Sequence, residues 1–147
     1  MWHRIETDKD ISELMSETNW FHDSCLKELH YISGAYVDGN YAMYPFNDRR
    51  CLKVVFQTQN HKSPVIELMF EGLITLRMKP TPETYTCEIQ SASVFFQENK
   101  VCWTDSDDLA KEKNSEYEGT IIISSKLRYR IVNCPIGDKE IFAEKNF

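Results

Sequence analysis

The run Trp20-Phe21-His22-Asp23-Ser24 sets an imidazole, a carboxylate and a hydroxyl next to one another, the three groups that activate a serine for acyl transfer. Consecutive residues on a strand point to opposite faces, however, and such triads are assembled from separated segments. The chain has no G-x-S-x-G turn that would lift a serine onto a nucleophile elbow. The pattern therefore predicts a junction: Asp23 or Ser24 satisfies backbone donors where a helix gives way to a strand, and Trp20 and Phe21 pack inward. The other use of these residues is binding, with Trp20, His22 and Asp23 as an aromatic and polar contact set. No residue is assigned a catalytic role.

A metal site would draw on His22, His30 and His61. His22 and His30 lie about 26 Å apart along an extended strand, and no H-x-H or H-E-x-x-H pattern brings two imidazoles together. The five cysteines (Cys25, Cys51, Cys87, Cys102 and Cys134) contain no C-x-x-C pair, so structural zinc has no ligand pairs to use. No metal or cofactor is expected. Asp105, Ser106, Asp107 and Asp108 open like a calcium loop, but the glycine and the distal glutamate of an EF-hand are missing; they read as a solvated acidic turn.

Lys126, Arg128 and Arg130 form a cationic row spaced by about 6.6 Å on one strand face. Such a row either receives a carboxylate or phosphate or pairs with glutamates of adjacent strands, such as Glu67 or Glu88. Tyr36, Tyr41, Tyr44 and Phe46 gather in a segment rich in Gly, Asn and Asp. Exposed, they make a protein-binding or sugar-stacking surface; buried, they cover one end of a barrel. Trp103 and Asp105, where a strand runs into the acidic turn, complete a candidate binding set of Trp20, His22, Asp23, Tyr41, Tyr44, Trp103, Asp105, Arg128 and Arg130.

One helix precedes these groups. Asp10 is its expected cap, Glu13 follows three residues on as in a capping box, and Ile11, Leu14 and Met15 share a face until the helix fades near Thr18-Asn19. Strands follow. From Val65 to Met78 the even positions read Ile66, Leu68, Phe70, Gly72, Ile74, Leu76 and Met78, which predicts one long strand bent at Gly72 rather than a hairpin. From Gly119 to Val132 the odd positions Ile121, Ile123, Ser125, Leu127, Tyr129 and Ile131 do the same. Shorter strands are expected over Ser24–Ile32, Tyr41–Tyr44, Cys51–Gln57, Thr84–Gln97, Val101–Thr104 and Glu140–Ala143. Asp38-Gly39 and Glu98-Asn99-Lys100 mark turns, Pro80 and Pro82 stop the long strand, and Asp105–Glu118 reads as a loop or a short helix. Long bent strands point to an α+β fold: a mostly antiparallel, strongly curled β-sheet or partly open barrel with a short N-terminal helix.

A length of 147 residues suits a single domain over 1–147 with its own core, and 41% hydrophobic with 27% charged residues is the balance of a folded chain. The net charge of -6 argues against nonspecific binding to nucleic acid or anionic membranes. The N-terminal residues lack the apolar stretch of a signal peptide, and nothing approaches a membrane span. The cysteines are then expected as reduced thiols in the cytoplasm.

The run Phe21-His22-Asp23-Ser24-Cys25-Leu26-Lys27-Glu28-Leu29 resembles the start of small bacterial domains in which an F-H-D-[SA] step opens a strand after a short helix. Trp103 before an acidic loop, and the strand Ser124-Ser125-Lys126-Leu127-Arg128-Tyr129-Arg130, are similar to their downstream features, although Tyr129 and its flanking arginines match only loosely. Some such domains are grouped with immunity proteins of polymorphic toxin systems. The resemblance implies a non-enzymatic protein that binds a protein partner. A second reading is a small-ligand carrier or enzyme with Arg128, Arg130 and His22 inside a curled sheet; a third is a structural subunit with a broad exposed apolar patch.

Overall fold

The structure is a computed structural model that describes residues 1–107 and 118–142. Its N-terminal helix, α1, covers Asp8–Glu17 and begins earlier than Asp10 would place it: Thr7 is the cap. Thr7 Oγ1 accepts the Asp10 N–H (3.2 Å), and the Asp10 carboxylate accepts the N–H groups of Thr7 (2.7 Å) and Glu6 (2.9 Å). This start brings both Asp8 and Asp10 into the first turn, where they complement the positive end of the helix. The Glu6 amide, then the Thr7 hydroxyl and amide, hold the Asp10 carboxyl below the usual carboxylate range.

Among the described residues, nine strands follow the order β1 (His3–Ile5), β2 (Ser24–Ile32), β3 (Tyr36–Val37), β4 (Met43–Tyr44), β5 (Cys51–Thr58), β6 (Val65–Arg77), β7 (Ser93–Gln97), β8 (Lys100–Thr104) and β9 (Ile121–Val132). Seven form one antiparallel sheet in the order β2-β5-β6-β9-β8-β7, with β1 also paired to β9; β3 and β4 form a separate ribbon. The fold is α+β and mostly antiparallel. The sheet is neither strongly curled nor closed into a barrel, which corrects the expectation drawn from the long strands. Its ends, β2 and β7, share no ladder, and only an isolated Ser24–Ile89 bridge links the segments beside them. The expected strand Thr84–Gln97 is irregular before Ser93, so β7 is too short to close the sheet. Residues 140–142 form no strand, and the remainder of that expected element, like most of 105–118, falls outside the described residues. The β7–β8 turn is the two-residue loop Glu98-Asn99, both at positive φ (51° and 62°), which matches the twist of the flanking strands.

One face of the sheet packs on α1. Leu14 and Met15 join Phe56 of β5, Ile66, Leu68 and Phe70 of β6, Trp103 of β8, and Ile122, Leu127 and Tyr129 of β9 in one core. Both predicted long strands exist, but their alternation slips. Ile66, Leu68 and Phe70 are fully buried, whereas Ile74 is 45% exposed, so Ile66 and Ile74 do not share a buried face. Two irregularities cause this. Gly72 turns at φ +64°, after which Leu73 takes the core side, and a bulge between Leu73 and Thr75 leaves Ile74 unpaired. The bulge restores the even parity, because Leu76 then pairs with the buried Ile122. On β9 the buried residues change from Ile122 and Ser124 to Leu127 and Tyr129 across Ser125 and Lys126, both exposed.

A Cβ on Gly72 would sit 2.9 Å from Ser125 Oγ, in a backbone conformation that L-residues rarely adopt. Gly72→Ala is expected to destabilise the protein by about 2–4 kcal/mol, the sum of left-handed strain and crowding. Gly137→Ala, also at positive φ but with open space around it, carries the backbone part alone, about 1–2 kcal/mol. Urea unfolding of the two variants measures the difference.

Candidate functional site

Helix α1 ends at Thr18, whose hydroxyl donates to the Leu14 carbonyl (2.8 Å). Asn19, Trp20 and Phe21 then make a left-handed turn with φ of 51°, 53° and 59°, and Asp23 repeats the conformation at 56°. Each such residue costs roughly 1–2 kcal/mol relative to ordinary backbone. The turn persists because Phe21 is fully buried, its ring 5.1 Å from that of Phe56 and 5.9 Å from that of Trp103. The N–H of Ala92 donates to the Trp20 carbonyl (3.0 Å), and that of Asp23 to the Ile89 carbonyl (3.1 Å). Ser24 has the local role expected at a junction, with the sign reversed: its buried hydroxyl donates to the Phe21 carbonyl. Trp20 does not pack inward; the left-handed turn that drives Phe21 into the core leaves Trp20 53% exposed.

His22 Nδ1 lies 3.0 Å from Asp23 Oδ2, with both side chains about half exposed (48% and 50%). His22 and Asp23 line an open groove of about 960 Å³ together with Asn19, Gln59, Asn60 and His61. His30 is elsewhere, its ring 5.0 Å from that of Phe142. The three histidines do not converge, and among the described residues no group of three His, Cys, Asp or Glu side chains is placed to hold a metal.

The cationic row lies on the other face of the sheet, and two of its members are paired. Arg130 bonds Glu67, which is buried, and Arg128 Nη2 bonds Glu71 Oε1 at 2.9 Å. The Trp2 ring lies over both guanidinium groups, at 4.8 Å from Arg130 and 5.5 Å from Arg128. Glu88 is not a partner; a hydrogen bond from Thr86, followed by its own backbone N–H, lowers its pKa. Trp2 lies beside a three-residue β1 that gives no readable alternation, and Glu71 is on the same odd-numbered face of β6 as the expected partner Glu67.

The aromatic cluster lies on an excursion between β2 and β5. Its base is closed by the N–H groups of Arg49 and Arg50 donating to the Ser33 carbonyl (3.0 Å each). Gly34, at φ +99°, lets Asp48 and Arg49 approach where a Cβ would clash. Above the base, Tyr36 pairs with Tyr44 and Val37 with Met43, so the strand expected from Tyr41 starts two residues later. Asp38 Oδ1 accepts the N–H groups of Asn40 (2.8 Å) and Ala42 (3.0 Å) and sets the turn. The Tyr36 and Tyr44 rings stack at 4.7 Å with planes 13° apart. These aromatics cover no barrel end: Tyr41 is 91% exposed, Met43 69% and Phe46 68%, and Tyr36, Val37 and Tyr44 are exposed as well. Val37 and Met43 belong to the surface although the aromatic signal alone did not include them.

Trp103 is fully buried beside Phe21 and Phe56, so it offers no accessible contact. Asp105 Oδ1 accepts the Thr120 N–H (3.2 Å), and Asp108 lies outside the described residues. The candidate residues thus occupy separate places: Trp20, His22 and Asp23 at the left-handed turn, Tyr41 and Tyr44 on the hairpin, and Arg128 and Arg130 on the outer sheet face.

Arg130→Ala, which leaves the buried Glu67 carboxylate without its partner, is expected to cost about 3 kcal/mol. Glu71→Ala, at a more exposed pair, is expected to cost less than about 1 kcal/mol. Chemical denaturation of both variants checks the ordering. Compared with family models, curated proteins and solved structures, the chain matches none.

Proposed function

We propose that the protein is a non-enzymatic binding module that docks a protein partner through the hairpin over residues 36–46. The observation that carries this reading is the set of six large apolar side chains exposed on a ribbon that contributes nothing to the core. Exposed apolar patches of this kind mark interaction surfaces, and tyrosines supply large contact area at little entropic cost. The ribbon's turn and base are fixed by Asp38, Ser33 and Gly34 before any partner arrives, which reduces the ordering cost of docking. The resemblance at Phe21–Leu29 to domains grouped with immunity proteins suggests the partner class, a toxin domain. The net charge of -6 favours a basic partner. Five cysteines without a disulfide suit the cytoplasm.

The carrier or enzyme reading has less support. It requires a hollow sheet interior, and that space is occupied by Phe21, Phe56, Phe70 and Trp103, all fully buried. A permanent structural subunit would use the same exposed hairpin and differs in whether the partner can be released.

The triple substitution Tyr41→Ser, Met43→Ser and Phe46→Ser tests the proposal. Because all three side chains are exposed, the unfolding free energy is expected to change by less than about 1 kcal/mol. Binding to a partner isolated from the source cells should weaken by about 100-fold or more, as loss of central anchors predicts. Unchanged affinity in a folded triple variant would refute the hairpin as the docking surface.

A further inference from the structure

Strand β9 is bordered on one side by β6 and on the other by two strands lying end to end. β8 pairs with Ile121–Ser124, and β1 pairs with Leu127–Tyr129. Ser125 and Lys126 therefore have no cross-strand partner on that side. This is where the buried side of β9 changes and where Gly72 kinks the neighbouring strand. The gap opens into a cleft of about 550 Å³ lined by Arg4, Glu6, Glu71, Asn99, Lys126 and Arg128, among others.

We propose that this notch is a binding site for an oxyanion, a phosphate or carboxylate group of a small ligand. Three cations meet two carboxylates here in a chain whose net charge is -6, so the notch runs against the average surface potential. Both carboxylates are already engaged: Glu71 accepts from Arg128 at 2.9 Å, and Glu6 lies 4.0 Å from Arg4. Lys126 stands opposite Glu71 in the ladder, but its ammonium has no carboxylate partner among the described residues. Arg128 is also incompletely used. Its Nη2 is held by Glu71, while its Nε is buried without a hydrogen-bond partner among the described residues. That shielded Nε is out of reach of a ligand in the cleft, so an oxyanion would instead engage the exposed Lys126 ammonium and the rest of the Arg128 side chain, which is 33% exposed. Asn99 adds a neutral donor at the rim, whereas the Ser125 hydroxyl donates to the Gly72 carbonyl (3.4 Å).

The site is independent of the hairpin, and its test is separate. Backbone amide shifts would be followed by NMR while sodium phosphate or sodium acetate is added, with sodium chloride at equal ionic strength as reference. Phosphate is expected to move the amides of Asn99 and Ser125–Arg128 saturably, with Kd on the order of millimolar as charge-assisted contacts at a partly open site allow. Saturation by acetate as well assigns the site to oxyanions generally; saturation by phosphate alone assigns it to phosphoryl groups. Lys126→Ala, at an exposed position, should weaken binding by about fivefold or more. Lys9→Ala, paired with Glu13 on the helix surface, should leave it unchanged. No saturable shift up to about 50 mM of either anion, an equal response to chloride, or undiminished binding in Lys126→Ala would each overturn the assignment. The hairpin triple variant should bind phosphate as the native chain does, which separates failure here from failure of the docking proposal.

Discussion

The ladder between β6 and β9 is the constraint on which the rest of the molecule depends. It runs from Val65–Val132 to Arg77–Ile121, longer than any other pairing in the sheet. On its inner side it lays Ile66, Leu68, Phe70, Leu127 and Tyr129 under α1. On its outer side the same register sets Glu67 opposite Arg130 and Lys126 opposite Glu71, and brings Arg128 within reach of Glu71. Because the two strands kink together at Gly72 and Ser125, the ladder survives while both change the side they bury. The notch between β1 and β8 is the consequence of that shared kink.

Strain is concentrated at a second place. Four of the five residues from Asn19 to Asp23 have left-handed backbone without being glycine. The burial of Phe21 between Phe56 and Trp103 offsets part of this cost. The turn ties the end of α1 to β2, and its backbone bonds to Ile89 and Ala92 fasten the segment that leads into β7. The exposed Trp20 and the His22–Asp23 pair are the outward products of this arrangement.

Much of the sheet could be read from residue types. Ser24–Ile32 matches β2 residue for residue, and β5 and β8 differ from expectation by one residue at an end. Alternation succeeded there because local side-chain parity and burial agree. It misled at Ile74, where the kink and the bulge cancel in sequence parity but not in space. β1 escaped notice because three residues cannot show a period, and with it went the contact of Trp2 with the arginines. The cap was misplaced because Thr7-x-x-Asp10 and Asp10-x-x-Glu13 are equally good boxes, and only the structure shows that α1 uses the first. Trp103 looked like a site residue beside an acidic turn; every residue from Val101 to Thr104 is in fact buried, so β8 offers no outward face to read. The aromatic cluster was visible as composition, but its exposure depends on an excursion whose geometry rests on Gly34 and Asp38.

The separation between a finished body and an apolar appendage is what gives the functional proposal its force. The core closes without any residue of β3 or β4, so packing supplies no reason for the tyrosines, Met43 and Phe46 to stand in water. Amide hydrogen exchange measures this separation most directly. The account predicts that amides of the β6–β9 ladder exchange only through global unfolding, while those of Val37, Tyr41 and Tyr44 exchange through local opening at least about 100-fold faster. Protection of the hairpin amides equal to that of the ladder would contradict it, because the ribbon would then be part of the fold's stability rather than a surface held out for a partner.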